Sequence, residues 1–488
     1  RVAVAIIGAG VAALCMAIQL RRSGIDSFVI LEKSDGVGGT WRVNHYPGCA
    51  CDVQSHLYSF SFEPNPDWTR MFAPRDEIRA YLEHCADKYD VRPHIHPGTS
   101  LERAEWDDDA ALWRLTDAHG NRYTARILVS GIGALSTPLY PSVTGLGRFQ
   151  GKAFHSQDWD HDYDLRGKRV GVIGTGASAI QFVPEVQKVA RHLAVFQRSP
   201  PWIMSKPDRP IRQWERALFR RVPAAQILQR KLLYWMLELR AIPMVLNPRL
   251  LRLFRRAAQR HIQNQIGDAA LRRKVLPDYE FGCKRVLMSN NYYTALEQPN
   301  VNLVTNGVQA ITETGVRTQD GSDHELDVLI YGTGFKATDP VPKGMICGRN
   351  GLDLQQVWRG GPEAYKGTTV NGFPNLFIIM GPNTGLGHNS MIYMIESQIE
   401  YTLDAIRTMD RDQLDWVEVT HGKQRAYNRR IQHRLDGSVW TDGGCTSWYL
   451  HPETGKNVVL WPDFTFRFWH QARHFDPVAY DVGRRYQA

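Results

Sequence analysis

The sequence predicts an α/β fold of two doubly wound, parallel-sheet domains, the second interrupted by a helical insertion. Three observations predict it. A strand, a glycine turn, a helix and a second strand follow one another from residue 2, and the same order returns from residue 168. A further apolar strand, 327–331, ends in Gly332-Thr333-Gly334-Phe335. Between them, Arg209 to Lys274 is rich in arginine and leucine at helical spacing. The length of 488 residues allows several domains, and 43% hydrophobic content with 10% aromatics excludes disordered and fibrous classes.

In the first unit, Val2-Ala3-Val4-Ala5-Ile6-Ile7 suits a strand buried on both faces. Gly8-Ala9-Gly10-Val11-Ala12-Ala13 follows, then a helical pattern stopped near Gly24, then Phe28–Leu31 ending in Glu32. Gly8 and Gly10 let the backbone turn tightly and approach a pyrophosphate, Ala13 keeps helix and strand close, and the helix N-terminus supplies free N–H groups. Glu32, 24 residues past Gly8, can accept from ribose hydroxyls. The unit is Rossmann-like in every part.

In the second unit, Lys168–Ile173 is the strand, Gly174-Thr175-Gly176-Ala177-Ser178-Ala179 the turn, and Leu193–Phe196 the next strand. That strand leads to Gln197-Arg198-Ser199, with Arg198 again 24 residues past the first glycine. An arginine there suits the 2′-phosphate of NADP, which an acid would repel. Two different dinucleotides are therefore expected.

After Glu32 comes Gly36-Val37-Gly38-Gly39-Thr40-Trp41, which resembles the GG motif after the ribose-binding acid in FAD enzymes of the two-dinucleotide-domain class. That resemblance assigns FAD to the first unit, with Gly39, Thr40 and Trp41 beside it, and NADPH to the second. Phe149 to Asp160 (FQGKAFHSQDWD) resembles the FxGxxxHxxxW[P/D] fingerprint of Baeyer–Villiger monooxygenases, a class B flavoprotein monooxygenase family related to flavin-containing monooxygenases. His155 and Trp159 are expected to be structural within it.

The resemblance extends over nearly the whole chain, most weakly from about 205 to 280, and it implies a reactive centre. Gly48-Cys49-Ala50-Cys51-Asp52 resembles the segment that sets an aspartate near the flavin, although the family's arginine before Cys-Asp is missing. Gly282-Cys283-Lys284-Arg285 resembles the segment carrying the active-site arginine. By this carry-over Arg285 and Asp52 are catalytic, and Lys284 joins Arg198, Ser199 and Gln197 at the NADP phosphate. Trp448 would contact the nicotinamide half, and Tyr58 and Met391, the latter closing the NTGLGHNSM run from Asn383, would lie by the flavin. The implied activity is an FAD-dependent, NADPH- and O2-using conversion of ketones to esters or lactones through a C4a-peroxyflavin. The substrate would be a small apolar ketone or thioether.

The competing readings are an N- or S-oxygenating flavin monooxygenase and, from another class, a flavin-binding membrane-associated or sensor protein without turnover. No CxxxxC pair follows the first unit, which argues against a disulfide reductase. The expected domains are 1–140 with 338–488 for FAD, 141–204 with 280–337 for NADP, and 205–279 as a basic amphipathic helical insertion.

That insertion carries the charge. Arg209 to Lys274 holds 16 Lys/Arg against Glu215, Glu238 and Asp268, a balance of +13 within a chain of net +9, so all other residues total −4. Leu232, Leu233, Trp235, Met236, Leu239 and Ile242 recur there at helical spacing. The expectation is a helical subdomain packed on the NADP domain with a solvated basic face, with peripheral membrane contact as the alternative. No nucleic-acid recognition motif, metal-ligand spacing or bilayer-spanning run occurs. No signal peptide is visible, and the opening at Arg1 straight into a strand suits a chain missing a short N-terminal tail. The seven cysteines, odd in number and scattered, read as reduced thiols of a cytoplasmic protein.

Overall fold

The computed structural model describes residues 1–339 and 341–484, so residue 340 and residues 485–488 of the segment 338–488 lie outside the described residues. The first sheet is centred on β1 (Val2–Ile7), with α1 (Val11–Arg22) crossing to β2 (Phe28–Leu31), which carries the short β3 (Ile95–His96) on its far edge. An antiparallel meander, β4 (Leu101–Asp107), β5 (Leu112–Asp117) and β6 (Arg122–Ser130), brings β6 back parallel to β1. Ile7 pairs with both Leu31 and Ser130, so the three strands end level and present Gly8, Glu32 and Gly131 at one rim. That rim is where ligands of doubly wound sheets bind. Two later helices, α2 (Thr40–Val43) and α3 (Arg75–Lys88), lie beyond it.

The second sheet is parallel throughout, made of β7 (Lys152–His155), β8 (Arg169–Ile173), β9 (His192–Phe196), β12 (Val301–Val304) and β16 (Val328–Tyr331) in the order β12-β9-β8-β16-β7. The helix α4 (Ala179–Gln187) follows β8, and Ile173 pairs with Phe196 and Tyr331, repeating the level rim. Between them, β10 (Ile203–Met204) pairs with β11 (Leu287–Met288), so the insertion leaves and returns at neighbouring points. A small antiparallel sheet, β13–β15 (Val308–Ile311, Gly315–Thr318, Asp323–Glu325), precedes β16. The chain then adds β17 (Ile346–Cys347) and β18 (Leu376–Ile378) to the first sheet. The apolar runs that predicted the strands are buried on both faces, from Val4 to Ile7 and from Val328 to Tyr331.

The insertion is helical: α5 (Gln213–Arg221), α6 (Pro223–Glu238), α7 (Leu251–Gln265) and α8 (Ala269–Val275). Its main helix departs from the expected docking. α6 lies on segment 56–65 of the first domain, where Gln226 Nε2 donates to the Asn65 carbonyl at 2.6 Å and Arg230 to the His56 carbonyl at 2.9 Å. Of the six apolar residues expected to face the NADP domain, Leu233 packs inward with Leu237 against Leu57, while Leu232, Trp235, Met236 and Leu239 are exposed. The reason is local: Gln226, Arg230, Tyr234 and Glu238 share the face that finds hydrogen-bond partners, so the polar side turns in.

Candidate active site

The first turn is built of backbone. Gly8 has φ +88°, and a Cβ there would stand 3.2 Å from the Gly131 carbonyl oxygen. Gly10 caps α1 and Gly39 caps α2, and a Cβ on Gly39 would come within 2.7 Å of the Gly10 Cα. Two helix starts thus face each other with no side chain between them. Ala13 is fully buried, and a Cβ on Gly131 would come 2.9 Å from its own Cβ, which explains the small residue. Glu32 is buried and accepts from the Ala9 N–H at 2.5 Å and the Ser34 N–H at 2.7 Å. Thr40 opens α2, and Trp41 donates its indole N–H to the Tyr58 hydroxyl at 3.0 Å. Burial holds that hydroxyl far above its ordinary pKa, so it stays protonated. Met391 opens the helix Met391–Arg411, capped by the Ser390 hydroxyl, which accepts from the Ile392 N–H at 3.3 Å.

The second turn repeats the plan. Gly174 has φ +112°, and a Cβ there would lie 2.3 Å from the Gly332 carbonyl oxygen. A Cβ on Gly176 would meet nothing within 4 Å, so the approach to the start of α4 is open to a phosphate. Ser178 sits at the α4 N-cap, and the fully buried Ala179 packs under Gly332 as Ala13 does under Gly131. At the strand end, Gln197 is buried and donates to the Lys274 carbonyl at 2.8 Å, while Arg198 is exposed. Arg198 lines a cavity of about 450 Å³ together with Arg273 and Lys274 of α8. Lys284 donates to the Ser199 hydroxyl at 2.8 Å, and burial, with Arg198 nearby, lowers its pKa.

Between the two turns, Arg285 meets Asp52. Its Nε and one terminal nitrogen both donate to Asp52 Oδ2, at 2.9 and 2.6 Å, and the side chains remain 35% and 31% exposed. Burial works to raise the Asp52 pKa, but the charge and hydrogen bonds of Arg285 outweigh it and hold the carboxyl below its usual value. The Asp52 charge raises the Arg285 pKa in turn. The pair is ionised at any working pH and faces outward enough to act on a ligand. Tyr449 is buried beside Arg285, its hydroxyl pushed up to about 12 by burial. Trp448 packs against Tyr449 with the rings tilted by 54° and their centres 4.6 Å apart, and it is 45% exposed.

In the linker, His155 is fully buried, and its Nε2–H donates to the Gly334 carbonyl at 3.1 Å while Nδ1 accepts from the Gln157 N–H at 3.2 Å. Both nitrogens are satisfied in the neutral ring, which leaves a structural role. Trp159 packs on Phe154 and Phe182 at 5.3 Å each.

One expectation is overturned. Cys283 and Cys445 form a disulfide across 162 residues, with Cα atoms 6.2 Å apart, so the cysteines are not all reduced thiols. The bond ties the Lys284–Arg285 loop to the segment bearing Trp448. Cys15, Cys49, Cys51, Cys85 and Cys347 are free and buried.

Three functional contacts escaped the sequence reading. Gln181 of α4 donates to the Ala50 carbonyl at 2.9 Å and accepts from the Ala50 N–H and the Tyr46 hydroxyl, clamping the Asp52 loop onto the second domain. Lys206, over the Phe72 ring at 4.9 Å, adds a second positive charge acting on Asp52. Glu238, which looked like an interruption in an apolar helix, is buried and accepts from Asn389 at 2.6 Å and from the Thr465 hydroxyl at 2.8 Å. For Gln181 and Glu238 the signal available was a polar residue within an apolar helix; Lys206, in Ser205-Lys206-Pro207-Asp208, carried none.

A flavin-type cradle, an NADP-type cradle and an arginine–carboxylate pair between them define a flavoprotein oxidoreductase with two dinucleotides. Residues 1–346 match the FMO-like family, described as flavin-binding monooxygenase-like. The chain is 58% identical over 98% of its length, and 91% of the relative's, to a Baeyer–Villiger monooxygenase of Pseudomonas aeruginosa. It is 46% identical over 99% of its length, and 93% of the relative's, to a Baeyer–Villiger monooxygenase of Streptomyces coelicolor. A solved structure, OTEMO in complex with FAD and NADP, superposes with a TM-score of 0.88 at 26% identity, covering 99% of each chain. The chain therefore belongs to the flavin-binding monooxygenases and, among them, to the Baeyer–Villiger monooxygenases. It is an NADPH-dependent flavoprotein monooxygenase, with FAD and NADP as its cofactors.

Proposed function

We propose that the protein oxidises apolar ketones to esters or lactones, consuming one NADPH, one proton and one O2 and releasing NADP+ and water. FAD, when bound, supplies the oxygen-activating chemistry. It would lie on residues 1–140 and 338–488, against Gly8, Gly10, Gly39 and Met391, with Glu32 at the ribose and Tyr58 behind Trp41. NADPH would lie on residues 141–204 and 280–337, with Gly174, Gly176, Ser178 and Ala179 at the pyrophosphate.

The observation that carries the reading is the two-point grip of Arg285 on Asp52 at the meeting of the two cradles. Arg285 offers a permanent planar cation to negative charge that develops during oxygen transfer, in a site where such a charge is worth more than in water. Asp52 orients that cation and balances it before the charge appears. Arg198, Ser199 and Lys284 would hold the 2′-phosphate, and Trp448 would cover the nicotinamide end. Five buried free thiols suit a reducing compartment such as the cytoplasm. No helix among the described residues is long and apolar enough to cross a membrane.

The test is a ketone panel with the purified flavoprotein, following NADPH and O2 loss and identifying products by mass spectrometry. Ester or lactone formed in step with NADPH supports the reading. Sulfoxide from an added thioether, with no ester from any ketone, overturns it in favour of heteroatom oxygenation.

A further inference from the structure

α6 is apolar on both sides. Its inward stripe, with Leu233 and Leu237, packs on the first domain, yet Leu228, Leu232, Trp235 and Leu239 form a second stripe on the outward side, each more than half exposed. The spacing of four, three and four residues puts these on one helical face. Trp214 of α5 and Leu253 of α7 add to the exposed apolar surface of the insertion, 60% and 61% exposed. Of the 23 exposed large hydrophobic residues described, 12 fall between residues 214 and 253, under a tenth of the chain, so this is a patch and not ordinary scatter.

The insertion's own charge along the patch is almost entirely of one sign. From Arg216 to Gly267 the only acid is Glu238, and its carboxylate is buried against Asn389 and Thr465. Arg221, Lys231, Arg249, Arg252, Arg256 and Arg260 are exposed over the same stretch. Glu215, at the edge, is held by Arg209 at 2.7 Å. A second copy of the chain is a poor occupant, because a symmetric contact would set the unpaired arginines of one copy against those of the other, while the nearby acids Asp67 and Glu280 are already engaged by Arg220 and Arg255. An anionic bilayer surface answers both features, taking the apolar stripe below its headgroups and the arginines among them.

We propose that α5, α6 and the start of α7 dock the enzyme on an anionic lipid surface, with Leu232, Trp235 and Leu239 as the inserted anchors. The helix axis lies along the surface, and Glu238 locks its inner side to Asn389, next to the start of the helix that Met391 opens. Apolar substrate dissolved in the bilayer then meets the enzyme where it is concentrated.

The test uses the full-length flavoprotein with sedimenting vesicles of phosphatidylcholine, with and without about 30% phosphatidylglycerol. The parent protein should pellet with the anionic vesicles and stay in solution with neutral ones. Raising salt from ~50 to ~500 mM should weaken binding several-fold, since exposed charge is screened. The variant Leu232→Ser/Trp235→Ser/Leu239→Ser should lose at least about tenfold in partitioning while keeping its flavin spectrum and its rate on a water-soluble ketone. Because that variant removes only exposed side chains, a second variant, Arg249→Gln/Arg252→Gln/Arg256→Gln, checks the charge separately. Equal pelleting with neutral and anionic vesicles, or none with either, overturns the proposal. So does a parent dimer in sedimentation velocity that the triple serine variant turns into a monomer, since the face would then belong to a second copy.

Discussion

The two glycine turns are nearly superimposable in logic and opposite in what ends them. Gly8 and Gly174 both take positive φ under a strand-end carbonyl, and Ala13 and Ala179 both fill the space beneath a strand-end glycine. Twenty-four residues on, Glu32 is buried and hydrogen-bonded to the turn itself, whereas Arg198 is exposed in a cavity with two further cations. A cradle set by backbone suits any pyrophosphate, and on the proposed reading the choice of dinucleotide rests on one side chain at the end of the next strand. The proposed chemistry lies in neither cradle but in the Arg285–Asp52 pair where they meet.

The largest expected effect breaks that division of labour. Arg285→Ala should lower ester formation by ~10³-fold or more while NADPH binding, read by fluorescence titration, changes little, because the cation acts on charge that develops only in the reaction. Asp52→Ala should slow flavin reduction by roughly 10- to 100-fold in stopped flow, a loss of orientation and not of the cation. Ester formation at the parent rate in either variant would remove that residue from the mechanism.

Next in size is the selectivity of the second cradle. Arg198→Ala should raise the KM for NADPH by about 30-fold, equivalent to ~2 kcal/mol, and leave the KM for NADH nearly unchanged. Glu32→Gln should leave the NADPH to NADH ratio alone and instead reduce FAD retention on gel filtration. An equal loss for both nicotinamides in the Arg198 variant would mean that the pocket with Arg273 and Lys274 binds something else.

The comparison extends to two buried histidines. His155 of the linker is paired at both nitrogens, whereas neither nitrogen of His388, in the flavin-side loop, finds a hydrogen-bond partner among the described residues. Burial, helped by Arg240, drives the His388 pKa down to about 4; Glu238 lies 3.8 Å away, but its oxygens are already engaged by Asn389 and Thr465. A histidine whose folded pKa is depressed gives stability that is complete above its unfolded value near 6.5 and is lost as pH falls towards 4. The protein should therefore lose on the order of 2 kcal/mol between about pH 7 and pH 5 through His388 alone. His388→Gln should flatten the melting-temperature profile over that interval; an unchanged slope would place the titration elsewhere.

The parts of the molecule legible in the sequence are those set by local rules. Strands buried on both faces must be continuous apolar runs, and a turn under a carbonyl must be glycine, so β1, β8, Gly8 and Gly174 announce themselves. Asp52 and Arg285 were reached only through resemblance, since 233 residues separate them and nothing local relates them. The Cys283–Cys445 bond was unreadable for the same reason. The insertion shows a different limit. Periodicity marks α6 as a helix with apolar stripes but cannot say which stripe faces in, because that depends on carbonyls at His56 and Asn65 waiting in another domain.

The smallest expected effect tests whether the two cradles are mechanically joined. Gln181 belongs to the helix that begins at the second cradle, yet its amide holds Ala50, two residues from Asp52. Gln181→Leu keeps the volume and removes three hydrogen bonds, leaving the Ala50 carbonyl and N–H to find other partners. That should cost about 1–2 kcal/mol in urea unfolding. If the clamp also sets the height of Asp52 against Arg285, the variant should slow flavin reduction several-fold at saturating NADPH with an unchanged KM. If the clamp only braces the loop, stability falls and the reduction rate does not. Gln181→Glu separates the two further: it keeps an acceptor for the Ala50 N–H but loses the donor to the Ala50 carbonyl and adds a negative charge near Asp52, so stability should fall as in the leucine variant while a rate governed by the charge balance of the pair should fall further.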